Sequence, residues 1–374
     1  MSLSGFMVRS RLGDYGVFFE APGQYLPKLA ADPACVFVVD ENVWHLHKNS
    51  TLKPLTASPH IILPISEIAK SLDSAQMLYD RLLESPRKKN TRLVSIGGGI
   101  TQDITGFAAS TLYRGIKWTF IPTTLLAQAD SCIGGKTSLN YKKYKNLIGT
   151  FYPPSEIYIS AEFVSTLKEQ DYLSGLGEIA KLCIIGGRSA AEDFAASLDK
   201  LLARDEETVL GFLRTALEIK KGYIEDDEFD SGRRNILNFG HCFGHALESA
   251  SEFALPHGIA VVYGMLLANI AARRRALLPG ELESFLRDSI LAPIVRREPY
   301  RGPLTPDLIV EAMKQDKKRV GAKLALVMAG ADLKMCRVGD LEEREAVDAI
   351  VELNGSREKP DTGAGAGPGG GENV

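Results

Sequence analysis

The chain has 374 residues, of which 45% are hydrophobic and 24% charged, with a formal net charge of -3. That length exceeds what one hydrophobic core commonly serves, so two domains are expected, and the composition excludes a wholly disordered chain. The near-neutral charge gives no reason to expect a partner that needs a strongly basic face, such as nucleic acid or an anionic membrane. The five cysteines (Cys35, Cys132, Cys183, Cys242, Cys336) are widely spaced and form no C-x-x-C pair, which reads as a set of reduced thiols. No apolar run approaches the ~20 residues that span a bilayer, and the first residues lack the apolar segment of a secretory signal. A cytoplasmic protein is therefore expected.

From residue 1 to about 165, short β-branched runs alternate with helical patterns. The runs are CVFVVD (35–40), HIILPI (60–65), RLVSIGGG (92–99), KWTFIPTT (117–124) and SEIYIS (155–160). Between them, SLDSAQMLYDRLLES and TQDITGFAASTLY carry apolar residues at helical spacing. This alternation predicts a parallel sheet in a Rossmann-like α/β nucleotide-binding domain. Over residues 166–354 the runs give way to long helical patterns such as EETVLGFLRTALEIKKGYI and IAVVYGMLLANIAARRRALL. That half is predicted to be a mostly helical domain. Residues 355–374, rich in Gly and polar side chains, cannot bury enough apolar surface to offset ordering and read as a disordered tail.

Two places concentrate chemistry. At the first, the strand LVSI runs into Gly97, Gly98 and Gly99, with Thr101 as a helix N-cap and Asp103 in the first helical turn. Such a turn lets backbone N–H groups approach a pyrophosphate, although Gln102 stands where the third glycine of G-x-G-x-x-G would fall. Asp40, ending a strand, suits ribose hydroxyls or a plain turn. GGKTS from Gly134 is no P-loop, because Asp130 occupies the position of that motif's first glycine. At the second place, His241, His245 and His257 fall within NFGHCFGHALESASEFALPHG. On a helix His241 and His245 share a face, and a third histidine favours a metal or substrate site over a mere hydrogen-bonded pair. Glu178 of SGLGEIAK is a candidate carboxylate, which these patterns alone do not single out.

Taken together, GGGITQDITGFAASTLYRG, IPTTLLAQADSCIGGKTSLN, KNLIGTFYPP, SGLGEIAK and ILNFGHCFGHALE make residues 35–330 resemble the 3-dehydroquinate synthase family of sugar phosphate cyclases. The resemblance implies an NAD- and metal-dependent lyase of aromatic amino acid biosynthesis that acts as a homodimer. It places the metal, zinc or cobalt, on Glu178, His241 and His257. NAD would meet Asp40, Glu67, Lys70, Gly98, Gly99, Asp103, Thr123, Thr124 and Lys145. The substrate shell would comprise Arg114, Asp130, Lys136, Asn146, Lys181, Lys220, Arg234, Asn238 and His245, with Lys317 or Lys318. Arg114 would stand near the partner's site. Of these, Lys136, Arg114 and the late lysine suit a phosphate, and Lys220 and Arg234 a carboxylate.

The implied reaction converts 3-deoxy-D-arabino-heptulosonate 7-phosphate to 3-dehydroquinate. Gln102, Phe239, Cys242 and Ile259 depart from the family pattern. They keep open a carboxylate-free sugar phosphate (sedoheptulose 7-phosphate or glucose 6-phosphate) or an amino-heptulosonate as substrate. A metal-dependent alcohol dehydrogenase of the glycerol-dehydrogenase group is the rival from another reaction class, and a non-catalytic binding protein a further one.

Overall fold

In the computed structural model, which describes residues 5–84, 90–142, 144–314 and 324–357, the apolar runs of the first half form one seven-stranded sheet. Its strands are β1 (Phe6–Val8), β2 (Tyr15–Phe19), β3 (Cys35–Asp40), β4 (His60–Leu63), β5 (Arg92–Gly97), β6 (Trp118–Pro122) and, after a separate hairpin, β9 (Glu156–Ile159). They lie in the order β1-β2-β9-β6-β5-β3-β4. All neighbours are parallel except β1 with β2. Every residue of β3 is buried, as a strand covered on both faces requires. The covering helices are α1 (Pro22–Ala31), α2 (Glu41–His47), α3 (Leu72–Leu83) and α4 (Gly99–Thr111).

Three features differ from the expectations above. The hairpin of β7 (Lys136–Tyr141) and β8 (Tyr144–Phe151) stands outside the sheet. Thr101 does not cap α4; Gly98 does, and Thr101 and Asp103 lie inside the helix, with no acidic residue in its first turn. Gly355 to Arg357, assigned to the tail, form the last turn of α13 (Glu343–Arg357).

The second half is built from α5 (Glu169–Ile185), α6 (Arg188–Leu202), α7 (Glu206–Asp226), α8 (His241–Ala250), α9 (His257–Arg274), α10 (Gly280–Leu286), α11 (Ala292–Arg297) and α12 (Pro306–Lys314). Before α13 it also contains an antiparallel hairpin, β10 (Leu324–Ala329) with β11 (Met335–Leu341), so it is not wholly helical. Every residue of α9 from 258 to 272 is buried. A helix that is apolar all round must be enclosed, and α9 packs against α5, α8 and α13. One continuous apolar core runs from a face of the sheet into these helices, and a second lies on the sheet's other face against α1. No helix among the described residues is long and apolar enough to cross a membrane.

Candidate active site

Three helices bring the metal candidates together. Glu178 sits within α5, and His241 and His257 open α8 and α9. Glycines next to the ligands let these helices touch. A Cβ at Gly258 would lie 1.8 Å from the carbonyl oxygen of Ser174 in α5, and one at Gly264 only 1.9 Å from that of Gly240. Gly240 itself has φ 79°, a left-handed turn that aims His241 inward. The imidazole Nε2 atoms of His241 and His257 come within 3.8 and 3.6 Å of Glu178 Oε1. Each Nδ1 faces an acceptor instead, Phe239 O at 3.2 Å for His241 and Glu248 Oε2 at 3.2 Å for His257.

Both Glu178 oxygens are buried without a hydrogen-bond partner, and the carboxylate is in ion-pair contact with Lys181. Burial, then Lys181 and the neighbouring histidines, holds the His241 pKa well below its ordinary value. His257 is also opposed by burial, yet Glu248 and Glu178 together draw its pKa up. A neutral imidazole, a buried carboxylate and a second imidazole held between carboxylates are the donor set of a divalent cation. The residues present fit one.

Beside this triad lies a buried set of charges. Lys181, Lys220 and Arg234 are 1%, 5% and 4% exposed, which long cations tolerate only with partners. Asp130, on a π-helical turn over Ala127–Ser131, lies 3.0 Å from the Lys220 ammonium and 3.9 Å from that of Lys181. Burial would raise the Asp130 pKa, but these two lysines hold it far below the carboxylate range. Burial lowers the Lys220 pKa despite Asp130, whereas the charges of Glu178 and Asp130 outweigh burial and raise that of Lys181. Arg234 donates to Glu228 O at 2.5 Å and to Gly134 O at 3.3 and 3.4 Å. Lys136 is half-exposed and pairs with Asp230 at 2.5 Å. Asn238 donates to Asn235 O. With His241, His245 and Arg337 it lines a small cavity against β10 and β11.

The nucleotide-side candidates gather around the glycine turn. A Cβ at Gly97 would come within 2.9 Å of Asp40 Cβ, and one at Gly98 within 3.0 Å of Thr124, whereas Gly99 has nothing closer than 4.0 Å. Gly99 therefore leaves open the approach to the N-terminus of α4. Thr123 Oγ1 is buried without a hydrogen-bond partner among the described residues. Lys70 forms an ion pair with Asp103 and donates to Asn146 Oδ1 at 2.5 Å. Ser138 donates to both Asp103 and Asn146. Asn146, placed by resemblance with the substrate shell, thus shares a network with nucleotide candidates. Glu67 accepts from Asn140 at 2.7 Å. Asp40 accepts from the amides of Asn42 and Val43 and so caps α2, the turn-forming role. Lys145 stands 3.8 Å over the Phe253 ring.

Arg114 is exposed at φ 65°, and its side chain makes no hydrogen bond or ion pair among the described residues. Lys317 and Lys318 lie outside the described residues. Sequence reasoning missed Asp230, which carries no motif and whose partner Lys136 is 94 residues away. It also missed Glu248, although His241, Glu248 and His245 fall on one helical stripe.

Models of the 3-dehydroquinate synthase N-terminal and C-terminal domains match residues 60–174 and 175–319. A 3-dehydroquinate synthase of Dictyoglomus turgidum is 37% identical over 78% of this chain and 82% of its own. One from Streptococcus equi subsp. equi is 33% identical over 86% and 90%. Among solved structures, 2-epi-5-epi-valiolone synthase from Streptomyces hygroscopicus subsp. jinggangensis, with NAD+ and Zn2+ bound, superposes with TM-score 0.79 at 25% identity, over 93% of this chain and 99% of that one. An iron-containing alcohol dehydrogenase reaches TM-score 0.61 at 16% identity, over 94% and 98%, a likeness of fold alone. The chain belongs to the 3-dehydroquinate synthase family.

Proposed function

We propose that this protein converts 3-deoxy-D-arabino-heptulosonate 7-phosphate to 3-dehydroquinate and inorganic phosphate, with NAD and one divalent metal ion, as a cytoplasmic homodimer. The observation that carries the reading is the junction of the Glu178, His241 and His257 triad with the buried cations Lys181, Lys220 and Arg234. A dehydrogenase acting on a neutral alcohol has no use for three enclosed cations, whereas a substrate bearing phosphate and carboxylate needs them.

Residues 1–165 would hold NAD, with Asp40, Glu67 and Lys70 toward the adenosine half. Gly98, Gly99, Asp103, Thr123, Thr124 and Lys145 would line the rest of its path. Residues 166–354 would hold the metal on Glu178, His241 and His257, zinc being our assignment and cobalt the alternative. When bound, NAD takes and returns a hydride while the ion acts as a Lewis acid toward the substrate's hydroxyl oxygens. Lys220 and the remaining guanidinium donors of Arg234 would take the carboxylate. Lys136, held by Asp230, would meet the phosphate together with Arg114 and the lysine pair at 317 and 318. Asp130 holds Lys181 and Lys220 in place and opposes the loss of charge that burial favours at Lys220, Asn146 and Asn238 would orient hydroxyls, and His245 would pass a proton beside His241.

The reaction leaves the cofactor oxidised as it began. Enzyme loaded with NAD and metal, run on material that sediments as a pair of chains, should release one phosphate per heptulosonate consumed while NADH absorbance stays flat. Stoichiometric NADH would instead align the protein with the alcohol dehydrogenases.

A further inference from the structure

We propose that Glu248 is the positioning residue of the metal centre: it holds His257 so that one ring nitrogen is left for the ion. The inference rests on the metal assignment above. His257 is the first residue of α9, directly after Pro256, and follows a loop in which Glu252 and Phe253 adopt left-handed φ of 52° and 62°. Nothing in that backbone sets the rotation of the ring. Glu248 does, from the neighbouring helix, by accepting the Nδ1 proton at 3.2 Å. With the proton on Nδ1, the free lone pair lies on Nε2, the atom 3.6 Å from Glu178.

The two histidines are oriented by different means. His241 donates its Nδ1 proton to Phe239 O, a backbone group two residues away that no side-chain change removes. For His257 the equivalent acceptor is a single side chain, 15% exposed and therefore only weakly screened by solvent. Glu248 reaches it because His241, His245 and Glu248 recur at helical spacing on one face of α8. A purely structural brace between α8 and the loop would not require the carboxylate to meet a ring nitrogen.

The same atoms admit a competing arrangement. His245, Glu248 and His257 also bring ligand atoms within 4.8 Å of one another, so a second ion there would make Glu248 a ligand. Metal binding by the full-length protein separates the two. Stripped protein is titrated with Co2+ in competition with a chromophoric chelator, and bound metal is counted by elemental analysis. Wild type should bind one ion. Glu248→Ala should bind it about 10–100-fold more weakly, with an altered Co2+ visible spectrum. Glu248→Gln, which keeps the shape and an acceptor oxygen, should recover part of the loss. The melting temperature of both metal-free variants should match that of wild type.

Unchanged Co2+ affinity in both variants would overturn the proposal. So would two ions in wild type falling to one in Glu248→Ala, or a lowered metal-free melting temperature with wild-type affinity in the folded protein. His257→Ala is the control for the underlying reading. If it too keeps full affinity, the metal assignment itself fails; if it alone loses the ion, only the role of Glu248 does.

Discussion

Asp227 shapes the loop that carries Arg234, one of the cations proposed to meet the substrate. Its carboxylate accepts from the amides of Ser231, Gly232 and Arg234 at 2.9, 2.7 and 3.0 Å. Burial nudges its pKa up, but these hydrogen bonds outweigh that and bring it down to about 2. A depressed carboxylate lends stability above its unfolded pKa of ~3.9 and loses it as the pH falls through the folded value. Asp227→Ala should therefore destabilise the protein at neutral pH, and the deficit, followed by urea midpoints, should shrink below pH ~4. With Arg234 less firmly placed, KM should rise on the order of threefold to tenfold, and kcat less. A deficit independent of pH would show that the amide bonds are not what Asp227 contributes. Residues of this kind are hard to find in sequence. Asp230 owes its position to Lys136 across 94 residues of chain, a distance no local pattern spans, whereas the histidines that read as a metal site are near neighbours on and after one helix.

At the level of elements, the site depends on how closely helices meet. Gly258 places the first turn of α9 against α5, donating its amide to Ser174 Oγ at 2.8 Å. A methyl group would collide with backbone, which cannot swing aside as a side chain can. Gly258→Ala should cost about 3 kcal/mol of stability by overpacking and weaken metal binding by moving His257 from Glu178. Thermal unfolding and Co2+ titration check both parts, and an unaltered melting point would refute the close packing. The strands that alternate with helices were legible because apolar runs bounded by glycine and turn residues mark enclosed parallel strands. The hairpins were not. LALVMA in β10 is uniformly apolar and only six residues long, a length at which period cannot separate strand from helix. In β8, most side chains are exposed, so no alternation betrays the strand. The N-cap of α4 was misplaced because a threonine near a helix start usually signals a cap, while here Thr101 is buried against the position of Gly97.

Across the whole molecule, the charges buried around Asp130 bear on which proposed substrate would fit. Among the described groups, Lys181, Lys220 and Arg234 bring three positive charges close to the carboxylates Glu178 and Asp130, leaving one in excess. A divalent ion on Glu178, His241 and His257 would raise the excess to three, or to two once Glu248 beside His257 is counted. A sugar phosphate that also bears a carboxylate supplies about three negative charges near neutral pH, whereas sedoheptulose 7-phosphate and glucose 6-phosphate lack the carboxylate. Such substrates would leave a buried cation without a counter-charge, a cost of about 3–5 kcal/mol tempered by the carbonyls that Arg234 already engages. The heptulosonate should accordingly be preferred over either by about 10²–10³-fold in kcat/KM, measured as inorganic phosphate release from the metal- and NAD-loaded enzyme. Replacing Arg234 by Met should erode that preference mainly by slowing the heptulosonate, because the carboxylate-free sugars never used the guanidinium. Turnover of sedoheptulose 7-phosphate or glucose 6-phosphate, with none of the heptulosonate, would reverse the substrate assignment and leave the fold, the metal triad and the internal redox cycle intact. Equal turnover of all three would mean that the buried cations are satisfied within the protein before substrate arrives.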